Sequence, residues 1–270
     1  MGVLNVTPDS FSDGGRFFTP DAALAQAERM VDEGAAIIDV GGESTRPGAV
    51  PVPLEEELAR VLPVIERLAG TAAVISIDTS KPEVMRAAAA AGAGLVNDVR
   101  ALQAPGALDA LLVSNCAVCL MHMQGEPRTM QAAPHYVDVV SEVKAFLAAR
   151  AHSCQARGLA AERIAIDPGF GFGKTYAHNL ELLRHLEALA AGAWPVVVGL
   201  SRKSMLAALL GRRAADRLAG SVALAVLAAL KNARIIRAHD VAATVDALKV
   251  VAAVQSGSVV QPEGVKPIGT

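Results

Sequence analysis

The stretch AVISIDTSKPEVMRAAAAAGAGLVN, residues 73–97, decides the fold of this chain. It begins with a continuous apolar run at 73–77, passes through a short polar segment into the helix-forming sequence PEVMRAAAAAG, and ends with a second apolar run at 94–97. Continuous rather than alternating apolarity is typical of strands that are buried on both faces. The stretch therefore predicts a strand, a helix and a second strand of the same sheet.

The same unit recurs along the chain. Amphipathic stretches separate the apolar runs; the first has Thr19 as N-cap, Pro20 at its first position and Gly34 after its end, and later ones cover 178–192 and 217–233. Eight units in 270 residues predict an α/β fold, a single-domain (β/α)8 TIM barrel over residues 1–255. Periodicity alone leaves an open doubly wound sheet as the alternative. The aperiodic segment 256–270 is expected to be a disordered tail. The apolar runs occupy 2–6, 36–40, 73–77, 94–97, 117–121, 163–166, 195–199 and 234–238.

Composition excludes several functions. A net charge of −2 gives no surface for a polyanion, so no nucleic acid partner is expected. The apolar stretch around 218–230 is too short to span a membrane. The chain starts without a basic segment before an apolar one, and Cys116, Cys119 and Cys154 cannot all pair, so a reducing cytoplasm is expected. The spacing of Cys116 and Cys119 within one strand sends the thiols to opposite faces, which favours packed core thiols over a redox or metal pair.

Polar residues stand where the predicted strands end. In a barrel these ends form the active face, and a cluster of them there predicts a small-molecule site. Each residue alone also has a structural interpretation: Asp39, Asp78 and Asp167 as helix caps or loop anchors, Asn97 as a turn residue, Lys203 and Arg237 as solvated rim charges, and His122 as a core histidine. The strand-end residues are Asn5, Asp78, Asn97, Asp98, Met121, His122, Asp167, the GLSRKS segment at 199–204, Arg237, His239 and Asp240.

These residue types indicate a ligand with two parts. Ionised carboxylates only accept hydrogen bonds, so Asp78 and Asp167 suit a group rich in N–H donors. Lys203 and Arg237, with His239 and Ser201, suit an anionic group. Since no nucleophile–base pair of the Ser-His-Asp kind is evident, covalent catalysis is not favoured.

The glycine-rich segment DPGFGFGKT, residues 167–175, does not match a nucleotide-binding loop. Pro168 stands where a phosphate-binding P-loop needs its first glycine, and the third glycine comes one residue early for a dinucleotide fingerprint. Asp167 is therefore the expected functional residue, with the glycines allowing a tight turn that brings Phe172 alongside the ligand. Lys174 is expected to be a rim charge.

With these residues in view, the chain resembles the dihydropteroate synthases, enzymes of folate biosynthesis. The resemblance covers residues 2–254, and its first two segments are highly specific. It implies a (β/α)8 barrel that uses Mg²⁺ to condense 6-hydroxymethyl-7,8-dihydropterin pyrophosphate with p-aminobenzoate, releasing pyrophosphate by a dissociative substitution. The matching segments are GVLNVTPDSFSDGG, IIDVGGESTRPGA, SIDTSKPEV, VNDVR, CLMHMQG, DPGFGFGK, GLSRKS and IIRAHDV.

The resemblance also implies roles for individual residues. The pterin ring would be held by Asp78, Asn97, Asp167 and Lys203, in a slot lined by Met121, Phe172 and Gly199. The pyrophosphate would be held by Asn5, Arg237 and His239, with Asn5 near the Mg²⁺ and with Thr45 and Arg46 approaching from the second loop. The p-aminobenzoate pocket, where sulfonamides compete, would be formed by Phe11, Pro47 and Ser201.

The sequence leaves two other functions open. A pterin-binding methyltransferase barrel would share the carboxylate and amide pocket, but it should lack the TPDSFSDGG and SRKS segments. A pterin-binding paralogue without turnover is disfavoured by the intact Asn5, Thr45, Arg46 and Lys203. The resemblance further implies a cytoplasmic homodimer, for which the apolar stretch 217–233 is the candidate surface.

Overall fold

The computed structural model describes residues 1–7, 20–45 and 48–257. All eight predicted strands are present, each within two residues of its expected bounds. They are β1 Gly2–Asn5, β2 Ile37–Gly41, β3 Val74–Asp78, β4 Leu95–Asp98, β5 Ala117–Met121, β6 Ile164–Asp167, β7 Val197–Gly199 and β8 Ile235–Arg237.

The strands pair in parallel and in sequence order. A continuous sheet runs from β1 to β6, and β7 pairs with β8. Single parallel bridges join the two sheets at both edges, from Ile166 to Val196 and from Gly2 to Ala238. The order contains no reversal of the kind that defines a doubly wound sheet, so the predicted (β/α)8 barrel is confirmed.

Helices connect the strands and cover the outside of the sheet. The predicted helix over 178–192 is wrong in one respect: it is two helices, because His185 has a non-helical backbone with φ −110° and ψ 25°. A short helix after β7, Ser204–Leu210, was not expected. The proposed cap Thr19 and the tail from 258 onward lie outside the described residues. The helices are α1 Pro20–Asp32, α2 Leu54–Leu68, α3 Pro82–Ala90, α4 Ala107–Leu112, α5 Val139–Ala156, α6 Tyr176–Arg184, α7 Leu186–Ala190, α8 Ser204–Leu210, α9 Leu218–Leu230 and α10 Val241–Ser256.

The buried apolar residues form two clusters. The large cluster fills the space between helices and sheet and includes Cys116 and Cys154. The small cluster comprises Cys119, Ala165 and Val197. Cys116 and Cys119 therefore lie in different clusters, which confirms that both thiols are packed in the core. Across the described ranges, no helix has the length and apolarity that a membrane span requires.

Candidate active site

One cavity at the carboxyl ends of the strands gathers most of the predicted site residues. Its empty volume, open mouth included, is about 320 Å³. Val99, Gly169 and Phe170 also line it and were not expected, since nothing in an isolated apolar or glycine residue distinguishes a cavity wall from a core position. The predicted residues that line it are Thr45, Asp78, Asn97, Met121, Asp167, Phe172, Gly199, Lys203 and Arg237.

Asp39 is a site residue whose importance the sequence did not reveal. It lies inside β2 with its side chain fully buried, rather than capping a helix or anchoring a loop. Its Oδ1 accepts a hydrogen bond from Ser76 Oγ at 2.6 Å, and its Oδ2 accepts from Asn97 Nδ2 at 3.3 Å. The Asn97 amide is thereby oriented with its nitrogen toward Asp39, which leaves its oxygen to accept from a ligand. A charged residue within a buried apolar strand was the available signal.

Arg237 joins two carboxylates at the base of the cavity. Its Nε donates to Asp39 Oδ2 at 2.6 Å, and its Nη2 donates to Asp78 Oδ2 at 2.9 Å. The interpretation of Arg237 as a solvated rim charge is therefore wrong. Burial, reinforced by the negative charge of Asp39, raises the pKa of Asp78 to about 7 despite the opposing Arg237. Near neutral pH, Asp78 is thus balanced between its carboxylate and its neutral acid.

Asp167 and Lys203 also line the cavity. Asp167 Oδ1 accepts from the backbone N–H of Gly169 at 2.7 Å, and burial raises the pKa of the carboxyl. The Lys203 ammonium lies 4.3 Å from the centroid of the Phe172 ring, within the range of a cation–π contact. Burial, reinforced by Arg237, lowers the pKa of Lys203 to about 8. Burial therefore shifts the pKa of both groups toward their neutral forms.

The glycine segment after β6 turns as the sequence predicted. Gly169, Gly171 and Gly173 all have left-handed backbones, with φ of +68°, +82° and +60°. A Cβ on Gly169 would lie 1.9 Å from the carbonyl oxygen of His122, so no other residue fits there without a backbone shift. The turn brings Phe172 to the cavity wall.

The expectation that Lys174 is a rim charge is wrong. The residue is 3% exposed, and its ammonium points into the protein. Its Nζ donates to the carbonyl oxygens of Gly169 at 3.0 Å and Phe172 at 2.9 Å, and it lies 2.9 Å from His122 Nδ1. Sequence reasoning missed this arrangement because the folding of a loop around its own lysine has no local signature.

The two histidines of the predicted rim are both neutral at pH 7. Burial, with Lys174 nearby, lowers the pKa of His122 to about 3, and its ring packs edge-on against Phe146, as a core histidine does. Burial, with Arg237 and Arg202 nearby, lowers the pKa of His239 to about 4. His239 therefore offers an anion an N–H group rather than a positive charge.

Ser201 fixes the ring of His239. Its Oγ accepts from the His239 backbone N–H at 3.2 Å and lies 3.1 Å from His239 Nδ1. The hydroxyl has one proton and two acceptor lone pairs, so it can donate to Nδ1 or accept from it, according to the tautomer of His239. These two residues lie beside the cavity, next to β8.

Asn5 stands at the end of β1 beside the carboxylates. A Cβ on Gly41 would lie 3.7 Å from Asn5 Oδ1 and 3.9 Å from Asp78 Oδ2, so both oxygens border the same point. Among the residues that the structure describes, no group of three or more His, Cys, Asp or Glu side chains is placed to hold a metal. The predicted residues Phe11, Arg46 and Pro47 lie outside the described residues.

The fold and this cavity together define a class of protein, the (β/α)8 barrels that bind a pterin. The sequence profile of the family described as pterin binding enzyme matches residues 1–239. The curated dihydropteroate synthase of Escherichia coli K12 is 52% identical over 257 residues, which cover 95% of this chain and 91% of the relative. The chain belongs to the dihydropteroate synthase family.

Solved structures agree with this assignment. A Yersinia pestis dihydropteroate synthase in a sulfonamide complex superposes with a TM-score of 0.91 at 51% identity, covering 95% of this chain and 94% of that one. A Burkholderia cenocepacia dihydropteroate synthase complexed with 7,8-dihydropteroate gives a TM-score of 0.87 at 52% identity, with 95% and 91% covered.

Proposed function

We propose that the chain condenses 6-hydroxymethyl-7,8-dihydropterin pyrophosphate with p-aminobenzoate to form 7,8-dihydropteroate and pyrophosphate, and that sulfonamides compete for the p-aminobenzoate position. The observation that carries the proposal is the cavity in which Asp78, Asn97 and Asp167 face Lys203. A pterin ring offers several N–H donors beside acceptor atoms, and carboxylate, amide and ammonium groups match that mixture.

We propose that catalysis is dissociative. Cleavage of the bond between the pterin methylene and pyrophosphate leaves a cation, which the carboxylates of Asp78 and Asp167 stabilise as charge develops. Because Asp78 has a pKa of about 7, it would enter the reaction as a carboxylate once the cationic pterin favours its charged form. The aniline nitrogen of p-aminobenzoate is neutral and nucleophilic at this pH, so it requires positioning rather than activation.

The departing pyrophosphate would be held from the β1 and β8 side. Arg237 uses two of its five N–H donors on Asp39 and Asp78, which leaves donors for phosphate oxygens. His239 supplies a neutral N–H, and Lys203 an ammonium. Thr45 lies on the cavity wall, from which its hydroxyl would approach the diphosphate. We extend these roles to Arg46, and assign the p-aminobenzoate wall to Phe11, Pro47 and Ser201.

Mg²⁺ is the cofactor we propose, and the donors present fit it. Magnesium in phosphate-transfer sites keeps several waters and needs only one or two protein oxygens, which suits Asn5 Oδ1 at this edge. The ion would neutralise charge on the leaving pyrophosphate.

We also propose a cytoplasmic homodimer. Three free, buried thiols suit a reducing compartment. On α9, Leu218, Leu227 and Leu230 are each 45–47% exposed, an apolar surface that a second copy would cover.

Pyrophosphate release is the decisive measurement. Release that requires p-aminobenzoate and Mg²⁺ is expected for the synthase, with dihydropteroate as the second product. A pterin-binding protein without turnover would release none, and a methyltransferase would bind the pterin without cleaving it. No release under any condition would overturn the proposed function.

A further inference from the structure

Lys174 is a buried lysine that the proposed chemistry does not use, and burial lowers the pKa of its ammonium to about 7. It is surrounded by acceptors: besides the carbonyls of Gly169 and Phe172, it contacts the carbonyl of His122 at 3.3 Å and the neutral ring nitrogen Nδ1 of that residue at 2.9 Å. An ammonium has three N–H donors and no acceptor, so the four contacts engage all of its donors.

The carbonyls that meet this ammonium come from backbone that turns inward. The left-handed Gly169 and Gly173 direct the loop 168–173 around the lysine instead of into solvent. Buried carbonyls without a partner each cost about 1–3 kcal/mol, so a donor at the centre stabilises the loop. The Gly169 carbonyl also accepts from the backbone N–H of Phe172 at 3.0 Å, so the lysine matters most for the carbonyls of Phe172 and His122. Within the described part of the chain, the Lys174 ammonium is the group that fills this position.

The same loop forms one wall of the cavity. Phe172 lies against the Lys203 ammonium, and a Cβ on Gly171 would lie 3.3 Å from Lys203 Cδ. The backbone N–H of Gly169 holds one oxygen of Asp167. Asp167 and Lys203 therefore both contact the loop 168–173, which packs around the Lys174 ammonium.

We propose that Lys174 is a positioning residue for the pterin: it holds the loop 168–173 so that Asp167 and Lys203 present their charged groups at the spacing the ring requires. Lys174 does not line the cavity itself and acts through the backbone. This role rests on the proposed function, because it concerns binding of the same pterin substrate.

The test compares Lys174→Met with Lys144→Met, an exposed lysine on α5 that serves as the matched control. For Lys174→Met we expect the KM for pterin pyrophosphate to rise at least about tenfold, since one lost buried hydrogen-bond partner corresponds to roughly that factor. The KM for p-aminobenzoate should change much less, because its proposed wall is elsewhere. A general loss of structure would instead reduce the active fraction and lower kcat without separating the two KM values.

Two further measurements keep the proposal open to refutation if Lys174→Met does not fold. Lys174→Gln retains an N–H donor group without the charge and should fall between wild type and Met. Lys174→Ala leaves a space that ethylammonium or propylammonium can enter, and either ion should restore pterin affinity in proportion to its concentration.

Different measurements test the proposed function and the positioning role of Lys174. Activity of the wild type and of Lys144→Met tests the proposed function, whereas the ratio of pterin KM values between Lys174 variants and wild type tests the positioning role. A folded Gln or Met variant with unchanged pterin KM would overturn the role, as would equal increases in both KM values together with no rescue by added amine.

Discussion

Replacing Asp78 by Asn should raise the stability of the ligand-free protein relative to wild type as the pH rises, while weakening pterin binding. Burial and the neighbouring Asp39 hold the pKa of Asp78 at about 7, against an ordinary value of 3.8. An asparagine of nearly the same shape carries no charge at any pH. The substitution therefore removes the cost of keeping a buried carboxylate ionised, and it also removes a hydrogen-bond acceptor for the ligand.

The sign and size of the effect follow from the two pKa values. The folded state holds the Asp78 proton more tightly than the unfolded state, so this group favours folding at low pH and loses that contribution as pH rises toward 7. The interval spans about three pH units, and each corresponds to about 1.4 kcal/mol, which sets the full change at about 4 kcal/mol. Between pH 5.5 and pH 8 the same relation gives about 2 kcal/mol.

Urea unfolding at several pH values between 5.5 and 8 measures this directly. The free energy of unfolding of Asp78→Asn minus that of wild type should increase by about 2 kcal/mol across the range, because contributions from other groups largely cancel in the difference. Asp246→Asn, on the exposed face of α10, is the control and should give a constant difference. A constant difference for Asp78→Asn as well would refute the reasoning that burial shifts this group.

Three other substitutions test the site. Asp167→Asn should raise the Kd of pterin pyrophosphate, measured by calorimetry, by about tenfold or more, because the amide presents a donor where the ring also presents donors; unchanged affinity would contradict the assignment. Asp39→Asn leaves Arg237 without its closest carboxylate and should cost about 3 kcal/mol in urea unfolding; a loss below about 1 kcal/mol would show that the pair is not required. Gly169→Ala should destabilise the fold by more than Gly211→Ala does, because both sites have similar left-handed backbones but only the first meets another backbone atom; equal losses would argue against the close contact.

The fold was predictable because strands that are buried on both faces appear in the sequence as continuous apolar runs. Eight apolar runs gave eight strands, and the largest shift in any strand end was two residues. One predicted helix boundary was wrong because the backbone conformation of a single residue differs from what the surrounding composition indicates. His185 interrupts a stretch whose residues are all compatible with one continuous helix, and the residue type gives no sign of its φ of −110° and ψ of 25°.

The site was predictable in part because strand ends of a parallel barrel converge on one face. Asp78, Asn97 and Asp167 could be placed together from position alone, and the structure brings them to one cavity. Asp39 was harder, because its partner Arg237 lies 198 residues away in the sequence. The contact forms because a parallel bridge between Gly2 and Ala238 brings the first and last strands of the barrel together.

Asp39 and Lys174 share a property that explains why the sequence did not reveal them. Each is a buried charge whose partners belong to the protein, Asp39 through Arg237 and Lys174 through loop carbonyls. Asp78 and Lys203, by contrast, line the cavity, where a ligand can reach their charged groups. Burial shifts the pKa of Asp78 to about 7 and that of Lys203 to about 8, and it lowers the pKa of Lys174 to about 7 as well. A residue type cannot distinguish these cases, because the same carboxylate or ammonium serves either purpose. The distinction lies in what each group faces: Asp39 and Lys174 face groups of the protein, whereas Asp78 and Lys203 also face the cavity.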